Sequence, residues 1–246
     1  MRRIDLNADM GEGIGDDAAL LGIVTSANVA CGFHAGGPDD MARTMALAVA
    51  NGVRVGAHPG FDDRAGFGRH RMDVPLETLQ NQIRYQVGAA QGIARANGTA
   101  LHHLKLHGAL ANMASEDADL ARACFDAALS VAPDMAVMVL AATAQQRAAE
   151  ALGITWLGEI FADRAYNDDA TLVDRALPGA VIHDADLAGR RVADMARAGA
   201  IITANGGQIE TRIDTICLHG DTPEAVNIAR AVRAALQAEG IALGLS

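Results

Sequence analysis

Aromatic side chains are scarce in this chain: Phe, Tyr and Trp together make up 3% of its 246 residues. A surface on which nucleic-acid bases stack needs several exposed rings, so this scarcity argues against one. Asp and Glu outnumber Lys and Arg by 30 to 20, and the net charge is −10. Because phosphate contacts require clustered cations, the composition predicts no nucleic-acid partner.

Cysteines and long apolar runs are also rare. Cys31, Cys124 and Cys217 lie far apart, are odd in number and form no Cys-x-x-Cys pair, which is typical of a reducing compartment. No run of 18 apolar residues occurs, and an acidic segment follows the first three residues where a signal peptide would be apolar. We therefore expect a cytoplasmic protein that does not bind a membrane.

Three common catalytic and nucleotide-binding motifs are absent. The chain has no GxxxxGK[ST] phosphate loop, no strand–GxGxxG–helix unit and no GxSxG nucleophile turn. The glycines of residues 11–15 are too irregularly spaced to replace the second motif. On its own, the chain does not resemble a common nucleotide-binding protein or a serine hydrolase.

Short apolar segments alternate with longer helical patterns along the whole sequence. The candidate strands are Ile4–Asn7, Ala27–Phe33, Val53–Ala57, His103–Leu106, Met135–Leu140, Thr155–Gly158, Ala180–Ile182 and Thr215–Leu218. The candidate helices are Pro38–Asn51, Leu76–Asn97, Glu116–Val131 after a Ser115 cap, Thr143–Leu152, Leu187–Ala198 and a last one from a Thr222 cap to about Glu239. This alternation predicts a single α/β domain over residues 1–246, a distorted TIM-like (β/α) barrel, with an open doubly wound sheet as the alternative.

Four of the eight histidines share one sequence context. His34, His58, His107 and His219 each follow or end an apolar strand, and a glycine comes within two residues. Glycine permits a sharp turn and the close approach of a ligand to the backbone. In a parallel barrel the active site lies at the carboxyl ends of the strands, so these turns predict a ring of catalytic histidines.

Acidic and amide side chains accompany the first strand. Strand alternation places Asp5, Asn7 and Asp9 on one face, which we expect to point into the barrel, and Glu12 follows in the next turn. Inward polar groups are costly unless they are paired, bound to a metal or solvated. This face therefore indicates a site and not a structural core.

Two further segments supply charge at strand ends. Residues 60–71 (GFDDRAGFGRHR) are predicted to form a mobile loop over the site, with Arg64, Arg69 or Arg71 as anion ligands. Glu159 and Arg164 follow another strand and are candidates for substrate contacts.

Six long stretches resemble the LamB/YcsF family. They are DLNADMGEG (5–13), SANVACGFHAGGP (26–38), GAHPGFDDRAGFGR (56–69), LHHLKLHGALAN (101–112), GEIFADRAYNDDATLVDR (158–175) and DTICLHGDTPEAV (214–226). The chain departs from the family where Ala8 replaces a usual Cys, where Phe61-Asp62-Asp63 replaces Tyr-Pro-Asp, and where Leu106 and Ala111 replace Pro and Tyr. The last two changes would alter the shape of the pocket.

The resemblance implies a distorted barrel related to the glycoside hydrolase/deacetylase group. It also implies the A component of an ATP-dependent 5-oxoprolinase, which converts 5-oxo-L-proline, ATP and two waters to L-glutamate, ADP and phosphate with partner subunits B and C. Because the chain lacks a phosphate loop, we expect ATP to be handled with those partners. A homo-oligomer is compatible with this interpretation.

Roles for the site residues follow as hypotheses. Asp9 or Glu12 would act as general base, and His34, His58, His107 and His219 would relay protons or hydrogen-bond the tetrahedral intermediate. Contacts to substrate would come from Asp5, Asn7, Arg64, Arg69, Lys105, Glu159, Arg164 and Asp221.

Two other functions stay open at this point. Asp5, Asp9, His34 and His58 are adequate ligands for zinc or manganese, so the chain could be a metal-dependent deacetylase that acts alone. No HxxEH pair supports that alternative. A non-catalytic partner in carbohydrate utilisation is the other alternative, and the clustered ionisable groups argue against it.

Overall fold

The computed structural model describes residues 2–220 and 223–244. Its strands are β1 (Arg3–Met10), β2 (Ser26–Ala30), β3 (Arg54–His58), β4 (Leu101–Lys105), β5 (Ala136–Leu140), β6 (Trp156–Phe161), β7 (Ala200–Ile202), β8 (Gln208–Glu210), β9 (Thr215–Leu218) and β10 (Ala242–Leu243). Its helices are α1 (Asp17–Leu21), α2 (Pro38–Ala50), α3 (Leu76–Ala96), α4 (Gly108–Glu116), α5 (Ala118–Leu129), α6 (Ala144–Leu152), α7 (Ala185–Ala198) and α8 (Ala225–Ala238). Among these residues, no helix has both the length and the apolar character needed to cross a bilayer.

Seven parallel strands close into a barrel. β1 to β6 pair in chain order, and β9 completes the ring by pairing with both β6 and β1. β10 adds to the start of β1 from outside, and β7 and β8 form a separate antiparallel pair. The predicted TIM-like barrel is confirmed, with seven strands in its wall.

One predicted barrel strand, Ala180–Ile182, was wrong. Val181 makes only an isolated antiparallel bridge to Arg164, so this segment does not enter the barrel. The segment is three residues long, follows Pro178-Gly179, and leads directly to Asp184, whose side chain caps α7. It therefore belongs to an excursion between β6 and α7 that covers one end of the barrel.

The alternation of β1 separates two environments. Ile4, Leu6, Ala8 and Met10 are fully buried in the hydrophobic core that surrounds the barrel wall. The odd-numbered polar residues face inward, as predicted, and bond to side chains of other strands. Hydrophobic burial thus fixes which face of β1 points into the barrel, because a shift of one residue would reverse both sets.

The predicted helix Glu116–Val131 was wrong at its start. The structure has two helices there, α4 and α5, separated by Asp117, whose carboxylate accepts from the backbone N–H groups of Asp119 and Leu120. Ser115 instead donates to the carbonyl of Asn112 within α4. An Asp two residues after a Ser is an equally good cap, so the pattern alone did not distinguish them. The predicted Thr222 cap lies outside the described residues.

Candidate active site

A pocket of about 470 Å³ opens at the carboxyl ends of the barrel strands. Asp9, His58, Lys105 and Phe161 line it from the last two residues of β1, β3, β4 and β6, and His219 lines it from just after β9. Residues 67–71 and the excursion at residues 164–175 contribute to its rim. The pocket therefore lies where the histidine-bearing turns were predicted to meet.

Lys105 lines the pocket and is almost fully buried. Its ammonium nitrogen is 2.9 Å from Asp9 Oδ1, 3.1 Å from Glu159 Oε1 and 2.9 Å from Cys217 Sγ. Asn28 also donates to Asp9 Oδ1, at 2.9 Å. One cation thus compensates the acidic groups contributed by two strands.

The neighbours of Asp9 favour its ionised form despite its burial. Burial alone would raise the pKa of Asp9, but His58 and Lys105 together bring it well below its usual value. Burial would likewise lower the pKa of Lys105, and Asp9, Cys217 and Glu159 raise it well above 10.5. Asp9 is therefore an anion at neutral pH that can accept a proton or orient water.

Three histidine rings pack together beside this ion pair, two of them stacked and the His58 ring perpendicular to both. His58 Nε2 lies 3.3 Å from Asp9 Oδ2 and 3.0 Å from His107 Nδ1. The His34 ring is parallel to that of His107, at 3.7 Å between centroids and 7° between planes. Glu12 Oε1 is 3.4 Å from His34 Nε2.

Two of these rings are neutral bases. Burial and then His58 lower the pKa of His34 to about 3, and burial together with His34 lowers the pKa of His107 well below 6.5. Both rings therefore carry a lone pair at neutral pH. They can accept a hydrogen bond or bind a cation, but they do not supply positive charge.

The fourth predicted histidine has the opposite character. His219 Nδ1 lies 2.8 Å from Asp163 Oδ2 and 2.9 Å from Oδ1. Burial would lower the pKa of His219, but the Asp163 carboxylate raises it. Sequence reasoning did not select Asp163, although it stands two residues after β6, the position from which other pocket residues come.

Asp5 and Asn7 were predicted to contact substrate, and the structure places them below the pocket. The Asp5 carboxylate accepts from the hydroxyls of Thr25, Ser26 and Thr215 at 2.6–2.7 Å. Asn7 lies on the same face of β1, two residues closer to the pocket than Asp5, and donates to Glu159 and Thr215. Each side chain bonds to buried partners and neither lines the pocket, so we expect neither to contact substrate.

We expect Asp5→Asn to affect stability and leave the chemistry unchanged. An amide nitrogen cannot accept from the hydroxyls that bond to the carboxylate, so unfolding free energy should fall by about 1–3 kcal/mol. Urea denaturation would measure that loss. A large rise in the KM for substrate with unchanged stability would contradict this placement.

The predicted arginines have different environments. Arg64 donates to the carbonyls of Gly32 and Gly36 and does not line the pocket, so we expect it to hold the turn after β2 and not a substrate anion. Arg164 lines the pocket but also braces the excursion, donating to the carbonyls of Val173 and Ala180. Arg69 lines the pocket with its guanidinium 4.9 Å from the centre of the Phe67 ring. The predicted contact Asp221 lies outside the described residues.

The loop of residues 60–71 lies against the amino end of α4. His107 Nε2 bonds to the carbonyl of Phe67, and Ala109 N–H donates to the carbonyl of Gly68. Gly108 has a φ of +55°, and a Cβ there would lie 2.5 Å from the Gly68 oxygen. Glycine at 108 thus allows the loop to contact the helix closely, as expected for a cover over the site; mobility of the loop stays a prediction.

Two groups of side chains in the described residues have donor atoms close enough to hold a metal. One is Glu12, His34, His58 and His107, and the other is Asp9, Cys217 and His219. The set suggested by the sequence, with Asp5 and Asp9 beside His34 and His58, does not form, because Asp5 lies below the pocket. Lys105 lies 2.9 Å from both Asp9 and Cys217, so the second group already contains a cation.

Comparison with known proteins gives consistent matches over the full chain. The profile of the LamB/YcsF family matches residues 4–245. The chain is 65% identical over 248 aligned positions to the A subunit of 5-oxoprolinase from Ruegeria pomeroyi, covering 99% of this chain and 98% of that protein. It is also similar to the crystal structure of a lactam utilization protein from Thermus thermophilus, with a TM-score of 0.92 and 39% identity over 99% of this chain and all of that one.

A more distant structure shares the fold alone. The family 4 carbohydrate esterase from Streptomyces lividans superposes with a TM-score of 0.52 and 12% identity, over 99% of this chain and 92% of that one. The predicted relation of the barrel to the deacetylase group is confirmed at the level of fold.

Proposed function

The chain belongs to the LamB/YcsF family, and from that membership and the pocket geometry we propose that it is the A subunit of 5-oxoprolinase. It would act as a hydrolase on the cyclic amide bond of 5-oxo-L-proline and release L-glutamate. The observation that carries the proposal is that one pocket holds both Asp9, whose pKa is lowered by His58 and Lys105, and His219, whose pKa is raised by Asp163. Ring opening needs a base for water and an acid for the leaving nitrogen.

ATP and partner subunits B and C complete the proposed reaction. A lactam carbonyl is a poor electrophile, and transfer of the ATP γ-phosphoryl group to its oxygen would make the ring carbon reactive. We assign that step to the complex with subunits B and C, since this chain lacks a phosphate loop. The three free, buried cysteines suit a reducing cytoplasm, where we place the complex.

The activated ring would then be opened in this pocket. Water adds to the ring carbon while Asp9 takes its proton, and the carbon–nitrogen bond breaks as His219 gives a proton to the nitrogen. The γ-glutamyl phosphate so formed takes up a second water and releases phosphate. Arg69 at the pocket rim supplies positive charge for the phosphate or the substrate carboxylate, whereas the guanidinium of Arg71 is already paired with Glu116.

The pH dependence should report on His219. Its protonated form is the proposed acid, so glutamate formation should fall as pH rises through its raised pKa. Asp163 and Asp9 favour that protonated form, and Lys105 opposes it. Asp163→Asn removes the largest favourable contribution and should move the alkaline limb of the kcat/KM profile to lower pH.

Asp194→Asn is the matched control for that profile. Asp194 is exposed on α7, where it pairs with Arg197, and its loss should leave the limb in place. An alkaline limb that stays fixed in Asp163→Asn would show that His219 is not the acid.

The function is tested by reconstitution. The chain, mixed with subunits B and C, should form glutamate from 5-oxo-L-proline only when ATP is present. His58→Ala should reduce that rate strongly, because His58 contacts both Asp9 and His107. Full activity in His58→Ala would mean that the pocket is not the reaction site.

A metal-dependent deacetylase that acts alone is the second candidate, favoured by the shared barrel and by the cluster of three histidines with Glu12. It would release acetate from N-acetyl sugars without ATP or partners. A screen of such sugars with the isolated chain distinguishes the two functions. If the chain has a non-catalytic role, adding it should increase neither glutamate formation nor acetate release.

A further inference from the structure

Four side chains from the ends of four successive strands converge beside the pocket, and all of them except His34 line its wall. His58 Nε2 is 3.0 Å from His107 Nδ1, and Glu12 Oε1 is 3.4 Å from His34 Nε2 and 3.7 Å from His107 Nδ1. One donor atom from each residue lies within 4.8 Å of all the others. The side chains of all four residues are buried. We call this group the histidine cluster.

The backbone fixes the tautomers of two rings. His58 Nδ1 lies 2.8 Å from the carbonyl oxygen of Lys105, and His107 Nε2 lies 2.8 Å from that of Phe67. A carbonyl only accepts, so each of these nitrogens carries the hydrogen. The other two nitrogens, His58 Nε2 and His107 Nδ1, face each other over 3.0 Å, so with nothing between them two lone pairs would meet. That contact is repulsive unless a proton or a metal cation lies between them.

The environment of His34 favours a metal ion over a proton at this point. Its side chain is fully buried, and neither ring nitrogen has a hydrogen-bond partner within residues 2–220 and 223–244. A proton shared by His58 and His107 would leave His34 unsatisfied, at a cost comparable to a lost hydrogen bond. A metal ion between the four residues would bind His34 Nε2 as well.

The distances match tetrahedral zinc. With metal–ligand bonds of about 2.0–2.1 Å, a tetrahedron places its ligand atoms about 3.3 Å apart. The separations of 3.0, 3.4 and 3.7 Å in the cluster lie around that value. Metal-binding histidines also commonly donate their second nitrogen to a backbone carbonyl, as His58 and His107 do. We propose that Glu12, His34, His58 and His107 form a binding site for a divalent metal ion of the zinc type.

The site deepens the proposed function, and its role in catalysis rests on that function. His58 lies 3.3 Å from Asp9, so an ion held by the cluster would have the proposed base as a close neighbour. Zinc there would supply Lewis-acid stabilisation of developing negative charge. Binding of the metal itself does not depend on the identity of the substrate.

The test measures binding to the isolated full-length chain. Protein treated with chelator and dialysed is titrated with Zn²⁺ by calorimetry, and Co²⁺ is added separately to record its visible absorption spectrum. We expect one ion per chain and the intense spectrum of tetrahedral cobalt. Glu12→Gln and His107→Gln should each weaken Zn²⁺ binding at least about 100-fold, because each removes a ligand. His102→Gln alters an exposed histidine outside the cluster and should bind as the wild type does.

Two results would overturn the site: no stoichiometric binding to the wild type, or equal affinity in Glu12→Gln and His107→Gln preparations that show wild-type circular dichroism. The cation between His58 and His107 would then be a proton, visible as an imidazolium in ¹⁵N NMR. The titration contains neither lactam nor partner subunits. A failure to bind metal therefore does not decide the outcome of the reconstitution assay. If the chain binds Zn²⁺ but its complex with subunits B and C forms no glutamate, the proposed function is contradicted and the metal site is not.

Discussion

Replacing Asp9 by Asn should reduce the kcat for glutamate formation by about 10²–10⁴-fold, the usual contribution of a positioned base. Asparagine keeps the shape of the side chain and can still accept from Asn28, but it cannot take a proton from water. Its neighbours His58 and Lys105 are positioned around a negative charge that the variant lacks. The measurement is the rate of glutamate release by the reconstituted complex at saturating ATP.

Asp5→Asn is the matched control, because Asp5 stands on the same face of β1 in the layer below the pocket. Its kcat should match that of the wild type at temperatures where both proteins are folded. If Asp9→Asn retained more than about a tenth of the wild-type rate, Asp9 would not be the base, given the usual size of that contribution.

Lys105→Met should destabilise the fold by about 3–5 kcal/mol, the typical cost of removing one partner of a buried ion pair. Lys105 is the only lysine of the chain, and its loss would leave Asp9 and Glu159 buried with no cation between them. Methionine fills a similar volume, so the loss should arise from charge and not from a cavity. Urea denaturation at neutral pH measures it.

A second set of variants separates charge from packing at this position. Adding Asp9→Asn and Glu159→Gln to Lys105→Met removes the uncompensated charges and should restore part of the lost stability. In wild-type protein labelled with [¹⁵N]lysine, the one side-chain signal should remain that of an ammonium past pH 10.5, because Asp9, Cys217 and Glu159 raise its pKa despite burial. A loss below about 1 kcal/mol in Lys105→Met, the size of an exposed pair, would contradict the central role of this cation.

Much of the barrel and of its site could be predicted from local pattern. The strand–His–Gly turns placed His34, His58, His107 and His219 correctly because parallel strands all end at the same rim. The alternation of β1 correctly placed Asp9 inside the barrel. These successes rest on periods of two residues and on turn chemistry, both of which are visible within a few positions of the chain.

Depth along the barrel axis could not be predicted in the same way. Asp5 and Asp9 lie on one face of one strand, yet only Asp9 reaches the pocket, since Thr25, Ser26 and Thr215 surround Asp5. Those partners come from other parts of the chain, and their register is set by the closed sheet. A sequence pattern shows on which face of the strand a side chain lies, but it does not show how deep along the barrel axis that side chain lies.

Long-range pairing explains the other differences between the sequence-based expectations and the structure. Arg64 bonds to the turn after β2 and not to the pocket, and Asp163 reaches His219 from a position 56 residues earlier in the chain. The Ala180–Ile182 segment has a strand-like composition but bridges to Arg164 outside the barrel. In each case tertiary contact decided a role that the local residues left open.

The most direct test of this account is a titration of the chain into fixed amounts of subunits B and C with 5-oxo-L-proline and ATP. We expect L-glutamate formation to rise in proportion to the chain added until the complex is saturated, and to be absent without ATP. Glutamate formed at the same rate without this chain, or with Asp9→Asn in its place, would contradict the assignment of ring opening to the pocket around Asp9, Lys105 and His219.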